Sequence, residues 1–367
     1  MIYATNYDIG ERKRRGGINE DSVAINVIEQ GHRDGFADDE AGHGGDADED
    51  DRPTDGATRP LNRGIAVFAL ADGAGGYEAG DVASYIATTV ICEELGEVAT
   101  RVARSNPDDF DVSLPDALAP EQPSPAEIQT ALEDAITAAH REIINYASET
   151  GNRAYTTAVA GLSFGGTCYY AWVGDSRAYL VNEARETIEL LTKDHGVVEE
   201  LHDRGEVDDV EAHVHPRGNE ITRALGGTGD QDSETATIAI DSNAVPVYAE
   251  DVLLVTSDGL IDAQTDAPDL YDEYQRSDKS EEVAATVYDA VVTDEEIRAF
   301  VLDADSLVQA GRELLAMAND RGGKDNLSML FVQDPALPST PRDRPLRRSL
   351  EPTPLENRAT VLLPDTD

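Results

Sequence analysis

Nine short runs of β-branched or alternating apolar residues, each bounded by glycine, asparagine or aspartate, constrain this chain more than any other feature. They fall at 22–28, 64–71, 155–163, 166–173, 177–182, 186–191, 234–240, 251–256 and 327–332, and they read as strands. Nine are more than one small sheet needs. Helical periodicity interrupts them. Ser124 and Pro125 suit an N-cap and a first turn, and Ile128, Leu132, Ala135, Ile136, Ala139 and Ile143 then recur at helical spacing until Gly151. A similar stripe runs through 79–104, and a third from Leu307 to Ala318 ends before Gly322 and Gly323. Strands, a helical pair, more strands and a late helix predict an α+β fold, with sheets stacked together and helices outside.

Three stretches fall outside that pattern. Residues 34–51 hold nine acids and four glycines, too polar to offset the entropy of ordering, so 34–60 is expected to be a disordered acidic insertion. Residues 104–124 carry Pro107, Pro115, Pro120 and Pro123 and are expected to form a loop. From Pro335 onward seven of the 17 prolines fall within 33 residues, which predicts a disordered tail over 334–367 and a catalytic unit over 1–333.

The charge balance limits the partners. Twenty-nine basic residues against 74 acidic ones give −45, which argues against nucleic-acid phosphate or an anionic membrane surface. Only four of the basic residues are lysine, a composition expected of a salt-rich cytoplasm where self-repulsion is screened. Cys92 and Cys168 are the only cysteines and read as buried thiols. No long apolar run appears, and the first charged cluster follows the first apolar stretch, the reverse of a signal peptide; a cytoplasmic monomer is expected.

Against this acidic background a lone aspartate means little, but position relative to a strand changes that. Asp72-Gly73 ends GIAVFALA, Asp258-Gly259 ends DVLLVTS, Asp325 directly precedes LSMLFV, and Glu20-Asp21 lies at the start of another strand. Strand ends hold the backbone still while carboxylates converge, and a neighbouring glycine lets a cation reach a carbonyl oxygen. Converging carboxylates either protonate or bind hard cations, and oxygen-only ligation favours Mg²⁺ or Mn²⁺ over zinc.

In order along the chain, NED (19–21), DGAGG (72–76), GDSRAYL (174–180), LTKDH (191–195), HPRGNEITRALG (215–226), SDGLID (257–262) and GGKDN (322–326) resemble the signature blocks of the metal-dependent Ser/Thr protein phosphatases of type 2C. The resemblance spans roughly residues 1–333 apart from the insertion. It implies a four-layer αββα sandwich of two mainly antiparallel sheets flanked by helices, with a dinuclear metal centre at one end. Carried over residue by residue, Asp72 bridges two ions, Gly73 offers its carbonyl oxygen, Glu20 completes one site, and Asp258 and Asp325 complete the other. Asp21 orients the water, and Asp175 and Asp262 match positions that hold a weaker third metal. The implied reaction is hydrolysis of phosphoserine or phosphothreonine in proteins by a water bridging two divalent ions. The Thr-Pro pairs at Thr340 and Thr353 are the expected point of contact with a partner Ser/Thr kinase.

Charge arithmetic agrees with that reading. Glu20, Asp72, Asp258 and Asp325 contribute −4, which two divalent ions cancel before a phosphate dianion arrives. Two positions depart from the family pattern. Ala74 stands where eukaryotic members often carry a histidine, and the phosphate-binding arginine position falls on Gly16, which makes Arg15 the expected substitute. His213 and His215 are expected to be structural or part of a flap over 213–226, Arg223 to pair with an internal carboxylate, His195 to brace a loop, and Trp172 to pack in a sheet. The competing reading is a weakly active or inactive member that senses a phosphopeptide or metal.

Overall fold

Strand β3 (Ile65–Asp72) shows why the chain stacks in layers. Ile65, Val67, Ala69 and Ala71 face one way, Ala66, Phe68 and Leu70 face the other, and all seven are buried, so both faces need a cover. It belongs to an antiparallel sheet ordered β10 (Asp241–Pro246), β6 (Thr167–Val173), β5 (Ala158–Phe164), β3, β2 (Asp21–Ile28). A second antiparallel sheet runs β1 (Ile2–Asp8), β12 (Leu327–Gln333), β11 (Asp251–Thr256), β7 (Arg177–Asn182), β8 (Thr187–Leu190). A ribbon joins β4 (Ala154–Thr156) to β9 (Leu225–Gly227). The structure, a computed structural model, describes residues 1–28, 64–74, 79–104, 121–228, 231–264 and 267–342.

Between the sheets Phe68, Leu70, Val159 and Trp172 meet Leu180, Leu253, Val255 and Leu330. Helices α1 (Gly80–Arg104) and α2 (Pro125–Thr150) cover the outer face of the first sheet. Helices α7 (Asp294–Asp303) and α8 (Leu307–Asp320) cover that of the second. The expected αββα order is the one found. Short helices α3 (Val197–Asp203) and α4 (Asp209–Val214) follow β8, and α4 packs with α5 (Ala267–Arg276) and α6 (Glu281–Ala290) around Val214, Leu270 and Val287.

Helix α2 begins and ends where its sequence signals lie. The Ser124 hydroxyl accepts from Glu127 N, the Glu127 carboxylate returns to Ser124 N, Pro125 opens the helix, and Gly151 closes it at φ 76°. Other expectations need correction. Residues 234–240 are not a strand: Ile238 and Ile240 pack on the helix-side core, and the ladder with β6 is made by the more polar 241–246, an edge strand that tolerates Pro246. Strand β1 was not expected, since only Ala4 and Asn6 of it are buried. The tail is not wholly disordered from 334: without forming a helix or strand, Leu337 packs against the inter-sheet core, and Thr340 bonds Glu250 and Asn182. The rest of the tail (343–367), the whole acidic insertion (34–60) and most of the Pro-rich loop (105–120) lie outside the described residues.

Candidate metal centre

One end of the sandwich gathers the acids. β2 starts at Asp21 directly opposite Asp72 at the end of β3, while β11 runs out towards Asp258 beside the start of β12. The two sheets are tied together there. Ser257 Oγ donates to Asp21 Oδ2 at 2.8 Å, and Ser328 N donates to Ser257 Oγ at 3.0 Å. Asn326 knits the remaining loops: its Nδ2 donates to the carbonyls of Ile9 and Ile18, and its Oδ1 accepts from Glu20 N at 2.9 Å.

Gly73 is where backbones approach closely. Its N–H donates to Glu20 O at 3.1 Å, and a Cβ there would stand 2.6 Å from that same carbonyl and collide with Gly80. Asp72 is fixed from the other side, since Thr156 Oγ1 and Thr157 N both donate to its carbonyl. Glu20, Asp21, Asp72, Asp258 and Asp325 are thereby brought into one electrostatic neighbourhood.

Their ionisation reflects that crowding. Burial first, then the charges of Asp21, Asp258 and Asp325, hold Asp72 well above the carboxylate range. Asp258 is raised for the same reasons, burial ahead of Asp175 and Asp325. Glu20 is raised by burial, against which the Lys13 ammonium pulls down.

Asp175, in the turn after β6, and Asp262, one turn beyond Asp258, flank this cluster. With Asp258 they line an adjoining cavity of about 280 Å³, whose walls include Asp194, His213, Gln264 and Lys324. Burial, then Asp194 and Asp262, push the Asp175 carboxyl up to about 7. Asp194 is held by Arg177 in a two-pronged pair (2.7 and 3.0 Å), and Lys324 Nζ lies 3.8 Å from Asp262.

A family profile described as "Protein phosphatase 2C" matches residues 49–287. The Listeria innocua protein named serine/threonine phosphatase stp is 30% identical over 269 residues, 73% of this chain and 84% of its own. The chain belongs to the protein phosphatase 2C family. Among solved structures, Staphylococcus aureus serine/threonine phosphatase Stp1 gives a TM-score of 0.58 over 90% of this chain and 94% of its own, at 24% identity. The catalytic domain of the protein phosphatase PstP, in complex with two manganese ions, gives 0.53 over 90% and 96% at 22% identity. At such identities the likeness is one of fold. The profile takes in Asp72, Asp175, Asp258 and Asp262, and the contacts of Asn326 and Ser257 join Glu20, Asp21 and Asp325 to them.

The donor set fits the divalent ions that this family uses. All the clustered donors are oxygens, and buried Oδ1 atoms of Asp21 and Asp258 meet no hydrogen-bond partner, leaving acceptors to which a cation can be added. Among the described residues no three His, Cys, Asp or Glu side chains already stand in closed ligating geometry. At Glu20 and Asp325 the structure brings up Lys13, whose Nζ bonds Asp325 and lies 3.7 Å from Glu20.

Sequence reasoning missed Lys13 because it stands in a basic run, Arg12-Lys13-Arg14-Arg15, with nothing to single it out. The Arg15 side chain lies outside the described ones, and Arg14 is engaged with Asp8 and Glu11. The other expectations fare better. Arg223, fully buried, bonds Asp241 at 3.0 Å; His195 accepts from Gly174 N and stacks on Trp172, holding the turn that carries Asp175. His213 and His215 pack edge-on against Tyr288 and Tyr271. Of the DGAGG block, Gly75 and Gly76 lie outside the described residues, while Ala74 N bonds Tyr155 O.

Proposed function

We propose that this chain hydrolyses phosphoserine and phosphothreonine in protein substrates with divalent ions held by Glu20, Asp72, the Gly73 carbonyl, Asp258 and Asp325. The observation that carries the reading is the convergence of four separate strand ends, and their acids, at one pole of the sandwich. When bound, Mn²⁺ or Mg²⁺ would polarise the phosphoryl oxygens and activate the attacking water. Asp21, pinned by Ser257 through one oxygen, keeps the other as an acceptor to orient that water. Asp175 and Asp262 would take a third ion. Ala74 brings no side-chain proton donor for the leaving alkoxide.

The catalytic unit would span 1–333, supported by the pairing of its first strand, β1, with its last, β12. A salt-rich cytoplasm fits the acid excess and the two buried free thiols. Among the described residues no helix is long and apolar enough to cross a membrane.

The test is release of phosphate from a phosphothreonine peptide and from p-nitrophenyl phosphate in high salt with Mn²⁺. Turnover should stop with EDTA and fall in Asp258→Asn by more than the ~10–100-fold typical of groups one shell further from a metal. Binding of phosphopeptide without phosphate release would show a sensor instead, and turnover surviving both treatments would end the metal reading.

A further inference from the structure

The turn carrying Lys13 is built against the segment that carries Asp325. Gly10 sits at φ 81°, where a side chain is strained and a Cβ would collide with the Asp325 carbonyl. Glu11 N donates to Asn319 Oδ1 at 2.8 Å, Arg12 N to Gly323 O at 3.1 Å, and Lys13 N closes the turn on Gly10 O. Gly17 N then returns to Lys13 O at 2.8 Å. This clamp aims the lysine stem at the acids. Its Nζ bonds Asp325 and stands 3.4 Å from Asn326 Oδ1 and 3.7 Å from Glu20 Oε2, and the side chain is only about a quarter exposed.

We infer that Lys13 is a tethered counter-ion that a divalent cation must displace from Asp325 and Glu20. The inference rests on the metal reading above and adds a competitor to it. Asp325 and Glu20 are ligands proposed for opposite halves of the centre, so one ammonium spans both. A carboxylate oxygen that faces an ammonium at hydrogen-bond distance has little room for a second cation on the same side, and ammonium and dication repel each other strongly at such separations. Lys13 therefore has two consequences. It offsets the mutual repulsion of five acids while no dication is bound, and it weakens dication binding by the free energy of its own contacts. Once displaced, the ammonium remains on its flexible four-carbon stem at the edge of the centre, able to meet an anionic substrate oxygen.

Calorimetric titration of the full chain with Mn²⁺ in high salt tests this. Lys13→Met keeps the length of the stem and removes the charge, and it should bind Mn²⁺ at least about tenfold more tightly. Its melting temperature in EDTA should fall below that of the parent. Lys13→Arg, which keeps the charge, should stay within about threefold of the parent. Lys13→Gln repeats the measurement should methionine disturb the turn. Equal or weaker Mn²⁺ binding by both neutral variants overturns this inference alone. Absence of saturable Mn²⁺ binding in the parent and in every variant overturns the metal reading and this inference with it.

Discussion

Histidine 140 offers a test of the fold that is independent of metal. It lies on α2, 6% exposed, and its Nδ1 accepts from Gly226 N of β9 at 3.0 Å, so the proton of the neutral ring belongs on Nε2. Burial, with Arg141 adding to it, pulls its pKa from 6.5 down to about 4. Between those values the unfolded chain takes up a proton that the folded one refuses, so stability is full above the unfolded value and is lost as pH falls towards the folded one. At about 1.4 kcal/mol per unit, the 2.5-unit gap is worth ~3.4 kcal/mol in full, and about 2.5 kcal/mol of it is lost by about pH 4.5. Urea unfolding of the parent and of His140→Asn, whose amide oxygen can replace Nδ1, isolates this contribution from the titration of the many acids. The stability of the parent relative to the variant should fall by about 2.5 kcal/mol on going from about pH 7.5 to about pH 4.5. Parallel stability curves would refute the assignment of a neutral buried imidazole.

Two further substitutions probe the packing. Phe68→Ala empties the inter-sheet core where a fully buried ring lies over Gly161, and it should cost about 3–5 kcal/mol in urea unfolding while Mn²⁺ affinity is retained. Asp241→Asn removes the carboxylate that faces fully buried Arg223 and should cost about 3–5 kcal/mol; adding Arg223→Met should recover part of that loss, which a double-mutant cycle reads directly.

Legibility in the sequence followed the strength of the apolar signal. β3, β11 and β12 are buried on both faces, so their runs are continuously apolar and their limits could be read within a residue or two. α2 carries its own start and stop residues. Where acids dilute the pattern, reading failed. α6 buries only Val287 fully and α5 only Leu270 and Tyr274, so neither shows a stripe wide enough to recognise among glutamates and aspartates. β10 is an edge strand whose Asp-Ser-Asn start reads as a turn. The acids of the candidate site were legible because each adjoins a strong strand. Lys13 was not, because what distinguishes it from its basic neighbours is a turn folded against residues about three hundred positions away.

The segment after β12 lies at the pole of the sandwich remote from the acids. Pro338 O accepts from Ala249 N, and Thr340 sits between Glu250 at the start of β11 and Asn182 at the end of β7. Strand β11, six residues and about 20 Å long, separates that pole from Asp258. A fluorescent reporter or a surface anchor joined directly after residue 342 would therefore start at the pole opposite the acids, and immobilised enzyme should keep its cleft open to bulky phosphoproteins.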